Sequence, residues 1–341
     1  MLRGTLMQAA IYGIEGFALT DEERRFFRDA DPAGYILFKR NCESQEQLLR
    51  LTDSLRAIDG RDDLPILIDQ EGGRVARMRP PVWPAFPAAE RFSNLYQAAP
   101  SSAIEAVRAN ARALALMLRS AGVNVNALPL LDVRQEGATD IIGDRALGSE
   151  PMQVAALGRA VLDGMASAGV VGIIKHMPGH GRALVDSHKE LPVVDASAEE
   201  LEIDLEPFER LAASPMGMTA HVVYTAWDAE RPASLSPIII RDIIRERIGF
   251  DGLLMSDDLG MEALRGDFGD RAAGVVTAGC DLALHCSGKM DEMAAVAGAV
   301  PQISPEGHDR LTRAMAATRI DFDSAEFAEA IAKRDQLLAL A

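Results

Sequence analysis

The sequence lacks several features that mark particular classes of protein. No apolar run reaches the 18 residues that a membrane-spanning helix requires, which argues against an integral membrane protein. Only three cysteines are present, Cys42, Cys280 and Cys286, without the paired spacing of a disulfide framework or a zinc site. We therefore expect a reducing compartment, in which these cysteines fill the core.

Positive charge is also scarce. The 341 residues include 35 Lys and Arg against 51 Asp and Glu, which gives a formal net charge of -16 at pH 7. This balance repels phosphate backbones and anionic lipids, and the arginines around "RPPVWP" form the one short basic patch. We expect neither a nucleic-acid partner nor a membrane partner, and the sequence leaves the oligomeric state open.

The amino terminus has no clear export signal. One early arginine and a short apolar run precede an acidic helix start at Asp21, with no A-x-A-like cleavage site between them. We interpret residues 8–14 as a first strand and expect a cytoplasmic protein.

Short apolar runs rich in β-branched residues alternate with segments of helical periodicity. The eight runs span residues 8–14, 34–38, 65–70, 123–133, 170–176, 217–224, 252–258 and 281–286. The helical segments begin at 21–23 and span 44–58, 101–121, 151–168, 197–211, 236–248 and about 290–299. This alternation predicts a parallel sheet with right-handed crossovers.

Polar residues at the ends of these runs favour a closed barrel over an open sheet. They are Asp69, Asp132, Lys175, His176, His221, Asp257, Asp258 and His285. Barrel enzymes build their sites from the carboxyl ends of many strands, whereas a doubly wound sheet concentrates them at switch points. We predict a single-domain (β/α)8 TIM barrel over residues 1–341, with extra C-terminal helices from about 305 packed outside it.

Two adjacent carboxylates, Asp257 and Asp258, end the apolar strand "LLMSDD". Side chains alternate along a strand, so one carboxylate should face the barrel axis and the other should face away. At a barrel mouth such a group can be a nucleophile, a metal ligand, a general base or a helix cap. The pattern leaves these roles open, although a capping role suits Asp258.

The stretch "KHMPGHGRALVDSHKE" contains three of the six histidines. Its proline and glycines exclude a helix and predict a loop above a strand end. Asp186 lies two residues before His188, so its carboxylate can fix the tautomer of the ring and favour imidazolium. His188 is therefore a candidate proton donor, and a surface loop pair is the alternative.

A metal site is the main rival explanation for these histidines. His176 and His180 have an H-x3-H spacing, and Asp257 could add a carboxylate. Pro178 and Gly179 interrupt the helix on which that spacing would have meaning. We therefore expect no metal and no cofactor, and keep a metal-dependent barrel hydrolase as the alternative.

A third motif, "IDQEGGRVARMR", combines an aspartate with arginines. Asp69 and Arg77 could together hold a polyhydroxylated ligand, because a carboxylate accepts from hydroxyls and a guanidinium donates in a planar fork. A mutual ion pair on a solvated loop is the alternative. Arg145 in "IIGDRALG" is a similar candidate.

Taken together, the motifs resemble those of NagZ-like β-N-acetylglucosaminidases (β-N-acetylhexosaminidases) of glycoside hydrolase family 3. The matching stretches, in the order of that family, are "GYILFKRN", "IDQEGGRVARM", "IIGDRALG", "IIKHMPGHG", "VDSHKELP", "MTAHVVY", "PASLSPIIIRDIIRERIGFDGLLMSDDLGM" and "AGCDLALHC". They cover nearly the whole predicted barrel. Departures from the family pattern are Met177, Arg182 and the strand "NALPLLDV".

The resemblance implies retaining, exo-acting hydrolysis of a terminal β-linked N-acetylglucosamine. It implies that Asp257 is the nucleophile and that His188, oriented by Asp186, is the acid and base. The sugar would be held by Asp69, Arg77, Arg145, Lys175 and His176. It further implies a small carbohydrate partner, an anhydromuropeptide of cytoplasmic peptidoglycan recycling. A phosphorolytic β-N-acetylglucosaminidase, which transfers the sugar to phosphate, is the alternative to a hydrolase. Detection of sugar 1-phosphate would distinguish the two.

Overall fold

A computed structural model describes residues 7–58, 60–135, 137, 141–183, 185, 187 and 190–340. The strands in these residues are β1 (Gln8–Gly13), β2 (Pro32–Leu37), β3 (Ile66–Ile68), β4 (Val125–Asn126), β5 (Val171–Met177), β6 (Val193–Val194), β7 (Met216–Thr219), β8 (Val223–Tyr224), β9 (Asp228–Pro232), β10 (Leu253–Asp258) and β11 (Leu282–His285). Eight of them form a closed barrel, in which β1 pairs with β11. The other three, β6, β8 and β9, form a small separate sheet.

The barrel strands are parallel and follow one another around the barrel in chain order. Every residue of β1, β2 and β5 is buried, because helices cover the outside of the barrel and side chains fill its inside. This burial on both faces explains why the strands appear in the sequence as continuous apolar runs. All eight carboxyl ends lie at one end of the barrel, where their polar side chains meet.

Helices surround the barrel. The α-helices of the described residues are α1 (Asp21–Ala30), α2 (Gln45–Arg56), α3 (Ala89–Ala98), α4 (Pro100–Ser120), α5 (Pro151–Ala166), α6 (Ala198–Arg210), α7 (Phe268–Ala278), α8 (Met290–Ala299), α9 (Pro305–Ala316) and α10 (Glu326–Leu338). Side-chain caps explain where several begin: Thr20 and Ser197 each form a capping box with a glutamate three residues later.

The predicted (β/α)8 barrel is confirmed, and so are two helices after residue 305. The last helix, α10, packs against α4 outside the barrel. Among the described residues, no helix combines the length and the apolar character that crossing a bilayer requires.

Three local predictions need correction. The run 217–224 is not one strand, because the chain leaves the barrel after Thr219 and Val223–Tyr224 pairs with the small sheet. Both parts are buried, so their hydrophobicity does not reveal the break. Helices α3 and α7 were not predicted, and the segment Ile239–Arg247 forms a π-helix.

A buried carboxylate, Asp281, stabilises the end of the barrel opposite the carboxyl ends. It accepts hydrogen bonds from the Leu254 amide at 2.8 Å, from Arg245 at 2.9 Å and from Arg310 at 3.0 Å. These contacts connect β10, the segment before β11, the π-helix and α9. Removal of Asp281 leaves a buried amide and two guanidiniums without this acceptor.

We therefore predict that Asp281→Ala destabilises the fold by about 3 kcal/mol, the lower end of the range for breaking a buried ion pair. The measurement is the midpoint of thermal unfolding, with Asp291→Ala on the exposed face of α8 as the control. Because Asp281 lies far from the carboxyl ends of the strands, the hydrolase activity that the motifs imply should be unchanged in the folded variant. An unchanged midpoint would contradict this role.

Candidate active site

A cavity of about 280 Å³ opens at the carboxyl ends of the barrel strands. Its lining residues lie up to 250 positions apart in the chain, from Ile36 to Cys286. The predicted site residues that the structure places in this cavity are Asp69, Arg77, Arg145, Lys175, His176 and Asp257. Apolar side chains from the strand ends and loops complete its wall, among them Ile36, Phe38, Val75, Ile142, Met218 and Leu284.

The paired aspartates at the end of β10 have different surroundings. Asp257 lines the cavity, and its Oδ1 accepts a 2.8 Å hydrogen bond from the Asp258 amide. Asp258 also reaches the cavity wall, but its Oδ1 accepts from the amides of Gly260 at 3.0 Å and Cys286 at 3.1 Å. Asp258 therefore caps the turn after β10, which leaves Asp257 as the carboxylate suited to chemistry.

Electrostatics keep Asp257 ionised. Burial raises the pKa of this carboxyl, but His221, His176, the Asp258 amide and Lys175 together outweigh burial and lower it below its usual value. At neutral pH the side chain is consequently an anion held in a fixed orientation. This is the state that a nucleophile or an electrostatic stabiliser requires.

Asp69 at the end of β3 lies between two cations. Its Oδ2 accepts from Arg77 at 3.0 Å, and its Oδ1 lies 3.3 Å from Lys175 Nζ. Burial raises the pKa of Asp69, while Lys175 and Arg77 lower it by more, so that the net shift is downward. Asp69 and Arg77 thus form a mutual ion pair, which lines the cavity and does not lie on a solvated loop. That the pair holds a polyhydroxylated ligand stays a prediction.

Glu71 is a site residue that the sequence motifs did not single out. Its carboxylate accepts two 2.8 Å hydrogen bonds from Arg145, and the same group lies 2.8 Å from Lys175 Nζ. Burial raises the pKa of Glu71, but Lys175 and Arg145 reverse the effect and lower it. Glu71 thus fixes both cations at one side of the cavity. Its position after Asp69 in "DQEGG" is the signal that could have identified it.

Asp132 orients the ring of His176. Like Glu71, it is a residue to which the sequence analysis assigned no role. His176 Nδ1 lies 2.6 Å from Asp132 Oδ2, while Asp132 Oδ1 accepts from the His180 amide at 2.7 Å. The carboxylate oxygen is the acceptor of this contact, so Nδ1 carries a hydrogen and Nε2 remains for other contacts. His176 also has φ of 117°, a strained conformation for a residue with a side chain.

Two further histidines lie near the site. The His221 ring contacts Ser234 Oγ at 2.7 Å and donates from Nε2 to the Asp258 carbonyl at 3.0 Å, which connects it to the strand end that bears Asp257. Burial lowers the pKa of His221, and it likewise lowers the pKa of His180 in the cavity wall. The negative charge of Asp257 opposes this shift for His221, and that of Asp132 opposes it for His180.

The predicted acid/base pair, Asp186 and His188, lies outside the described residues. Ser187, which stands between them in the sequence, is described: it is buried and lines the same cavity as Asp257. Its carbonyl accepts from the amide of Ala263 in the loop after β10, at 3.2 Å.

The metal alternative would need His176, His180 and Asp257, all in the described part of the site, as ligands. No group of three or more His, Cys, Asp or Glu side chains there is arranged to hold a metal ion. Instead, His176 points a ring nitrogen at Asp132, and the ring centroids of His176 and His180 are 5.8 Å apart.

Fold and site together define a class of protein: a (β/α)8 barrel enzyme with an ionised carboxylate in a small cavity that charged and apolar side chains line. Its carboxylates and cations alternate around the cavity, which suits a neutral molecule with many hydroxyl groups. Barrel glycosidases have these properties.

Comparison with known proteins identifies the family. The model of the glycosyl hydrolase family 3 N-terminal domain matches residues 4–316. A β-hexosaminidase of Alkalilimnicola ehrlichii is 39% identical over 318 residues, which is 92% of this chain and 89% of that protein. One of Aromatoleum aromaticum is 38% identical over 87% of this chain and 84% of that protein. The chain therefore belongs to glycosyl hydrolase family 3, and it is a glycoside hydrolase.

Solved structures agree with this assignment. NagZ from Neisseria gonorrhoeae in complex with N-trifluoroacetyl-D-glucosamine has a TM-score of 0.86 and 32% identity, and the match covers 97% of this chain and 98% of that one. A family 3 β-N-acetylglucosaminidase from Paenibacillus has a TM-score of 0.81 and 29% identity, with 98% of this chain and 67% of that one covered. The resemblance inferred from the motifs is thus confirmed.

We predict that Asp132→Asn lowers kcat/KM by at least about 10-fold, because it presents the wrong tautomer of His176 to the cavity. The amide oxygen must still accept from the His180 amide, so the NH2 group faces His176 Nδ1 and forces the hydrogen to Nε2. The measurement is kcat/KM on an aryl N-acetylglucosaminide. In a His176→Ala background the same substitution should cost little. Equal losses in both backgrounds would show that Asp132 acts elsewhere.

Proposed function

We propose that this chain is a retaining exo-β-N-acetylglucosaminidase that removes one terminal β-linked N-acetylglucosamine by way of a covalent glycosyl-enzyme. The observation that carries the proposal is the position of Asp257: an ionised carboxylate, held by a backbone amide, in a cavity lined by paired carboxylates and cations. The gonococcal relative, whose structure contains a glucosamine derivative, supports this sugar class.

In the first step, Asp257 attacks the anomeric carbon of the sugar. The bond from that carbon to the leaving oxygen breaks, and His188 gives its proton to this oxygen. In the second step, His188 removes a proton from water, whose oxygen attacks the same carbon and releases the Asp257 carboxylate. The hydrolysis therefore proceeds through two displacements and returns both side chains to their initial states.

Asp186 has the role of orienting His188 and stabilising its protonated form. An aspartate next to a histidine fixes the tautomer and favours the imidazolium, as an acid near neutral pH requires. The cavity position of Ser187, between these two residues in the sequence, supports their assignment to this site.

The remaining cavity residues would hold the sugar. Asp69 and Arg77 offer an acceptor and a donor at one side, while Lys175 and Arg145, fixed by Glu71, offer donors at another. Their charges are matched in pairs, so the cavity suits a neutral sugar better than an anionic one. The same pairing argues for water rather than phosphate as the acceptor, because a phosphate dianion needs cations whose charge is not already compensated.

The size of the cavity supports exo action. Its volume of about 280 Å³ is slightly below the range of roughly 300–1,000 Å³ that small-molecule sites span, and it suits one sugar ring rather than several. We further propose that the natural substrates are anhydromuropeptides with N-acetylglucosamine on anhydro-muramic acid, processed in the cytoplasm during peptidoglycan recycling. This part of the proposal rests on the family resemblance.

We predict that a slowly hydrolysed fluorinated N-acetylglucosamine analogue labels Asp257 covalently, because attack then outpaces hydrolysis of the intermediate. The measurement is mass spectrometry of peptides from the labelled enzyme. The matched control is Asp258→Asn, which should still be labelled, since Asp258 serves the backbone amides. A label on Asp258, or turnover without any adduct, would refute the assigned nucleophile.

We predict that His188→Ala loses about 10²-fold or more in kcat/KM on substrates with poor leaving groups, the usual contribution of a general acid. On activated aryl glycosides the loss should be far smaller, because a good leaving group needs little protonation. His308→Ala in α9 serves as the control and should affect neither substrate. Equal losses on both substrates would remove His188 from this role.

A further inference from the structure

Arg182 follows the segment Gly179–Gly181 and lies four residues before Asp186 in the sequence. Its Nε donates to Oδ2 of Asp204 in α6 at 2.5 Å, and its Nη2 donates to the Glu200 carbonyl at 2.8 Å. The carboxyl group of Asp204 is almost completely buried, with 1% of its side chain exposed. Arg182 therefore connects the loop to a helix of the barrel through a buried charge.

The contact is an ion pair at neutral pH. Burial raises the pKa of Asp204 to about 6, with Arg182 opposing the shift, so that the carboxyl is mostly ionised at pH 7. Within the described residues, Oδ1 of Asp204 has no hydrogen-bond partner. Arg182 is thus the group that compensates this buried carboxylate, and a charge-assisted pair of this kind fixes geometry strongly.

The chain just before Arg182 is held from two sides. Gly179, with φ of 134°, lies against α6 so closely that an added Cβ would be 2.9 Å from Asp204 Cβ. At Gly181 an added Cβ would be 1.9 Å from the Val133 carbonyl oxygen, in the segment after β4. Arg182 is therefore the first residue after a tightly packed segment.

A second fixed point lies in the cavity wall. Ser187 is buried there and accepts from the amide of Ala263. Five residue steps separate it from Arg182, which span at most roughly 18 Å when fully extended. The positions of Arg182 and Ser187 therefore fix two points of this stretch of chain, one against α6 and one in the cavity wall.

We propose that Arg182 is a positioning residue: by pairing with Asp204 it fixes the start of the loop that carries Asp186 and His188, and so sets how well the acid protonates the leaving group. The inference rests on the proposed function, in which His188 is that acid. Arg182 itself is not among the residues that line the cavity.

A positioning role has a distinct kinetic signature. Small displacements of a catalytic group can cost about 10²-fold in rate, and here the cost falls on the step that needs the acid. Sugar binding and attack by Asp257 do not depend on Arg182. We therefore expect kcat/KM to fall on substrates with poor leaving groups. Neither kcat/KM on activated substrates nor the affinity for the sugar should change.

The experiment compares kcat/KM of the full chain on an alkyl and on a dinitrophenyl β-N-acetylglucosaminide. For Arg182→Met we expect a loss of about 10- to 100-fold on the alkyl substrate and less than about threefold on the dinitrophenyl one. Arg182→Lys, which can keep the pair with Asp204, should recover most of the loss. The matched control is Arg210→Met, which removes an exposed pair with Glu206 on the same helix.

Arg182→Met leaves the buried Asp204 carboxylate unpaired, which also lowers the stability of the fold. The double variant Arg182→Met with Asp204→Asn removes both charges and should show the same difference between substrates. The inhibition constant of N-acetylglucosamine should remain unchanged in each variant. Equal losses on both substrates, or no loss, would overturn the inference. A wild-type chain inactive on both substrates would instead overturn the proposed function, and this inference with it.

Discussion

The site depends on the compensation of charges that the barrel buries. Lys175 lies between Asp69 and Glu71, at 3.3 and 2.8 Å, and Glu71 in turn holds Arg145. Burial of any one of these ions without its neighbours would be unfavourable, since the desolvation free energy of a lone charge exceeds the stabilisation from one solvent-exposed contact. As a connected set they compensate one another, and they present donors and acceptors to the cavity in fixed positions. A neutral, hydroxyl-rich ligand can then bind without disturbing the charge balance.

The same principle extends to the reactive groups. Asp257 stays anionic in a buried position because histidines and Lys175 surround it. His176 is oriented by Asp132, which lies behind it and also holds the His180 amide. The barrel supplies the rigidity for these contacts, because each residue comes from a strand end or from the turn that follows it. Mobile elements are not needed to assemble this half of the site.

Much of this could be predicted from the sequence, and the reasons are local. The alternation of apolar runs with helical segments predicted the barrel, because burial on both faces requires continuous apolar strands. The strand-end positions of Asp69, Lys175, His176 and Asp257 predicted that they would converge. Glu71 escaped notice because its role appears only when Arg145, 74 residues later, reaches it across the cavity. The break within 217–224 escaped notice because both halves are equally buried.

By itself, the sequence determined the kind of fold, the family and the candidate reactive residues, since these depend on residue type, periodicity and motif order along one chain. Tertiary structure alone decided which charges meet. It separated Asp257, which faces the cavity, from Asp258, which caps a turn, and it paired Arg182 with a buried carboxylate on α6. Ion pairs and burial are properties of distances between residues far apart in the chain, and only the folded molecule sets those distances.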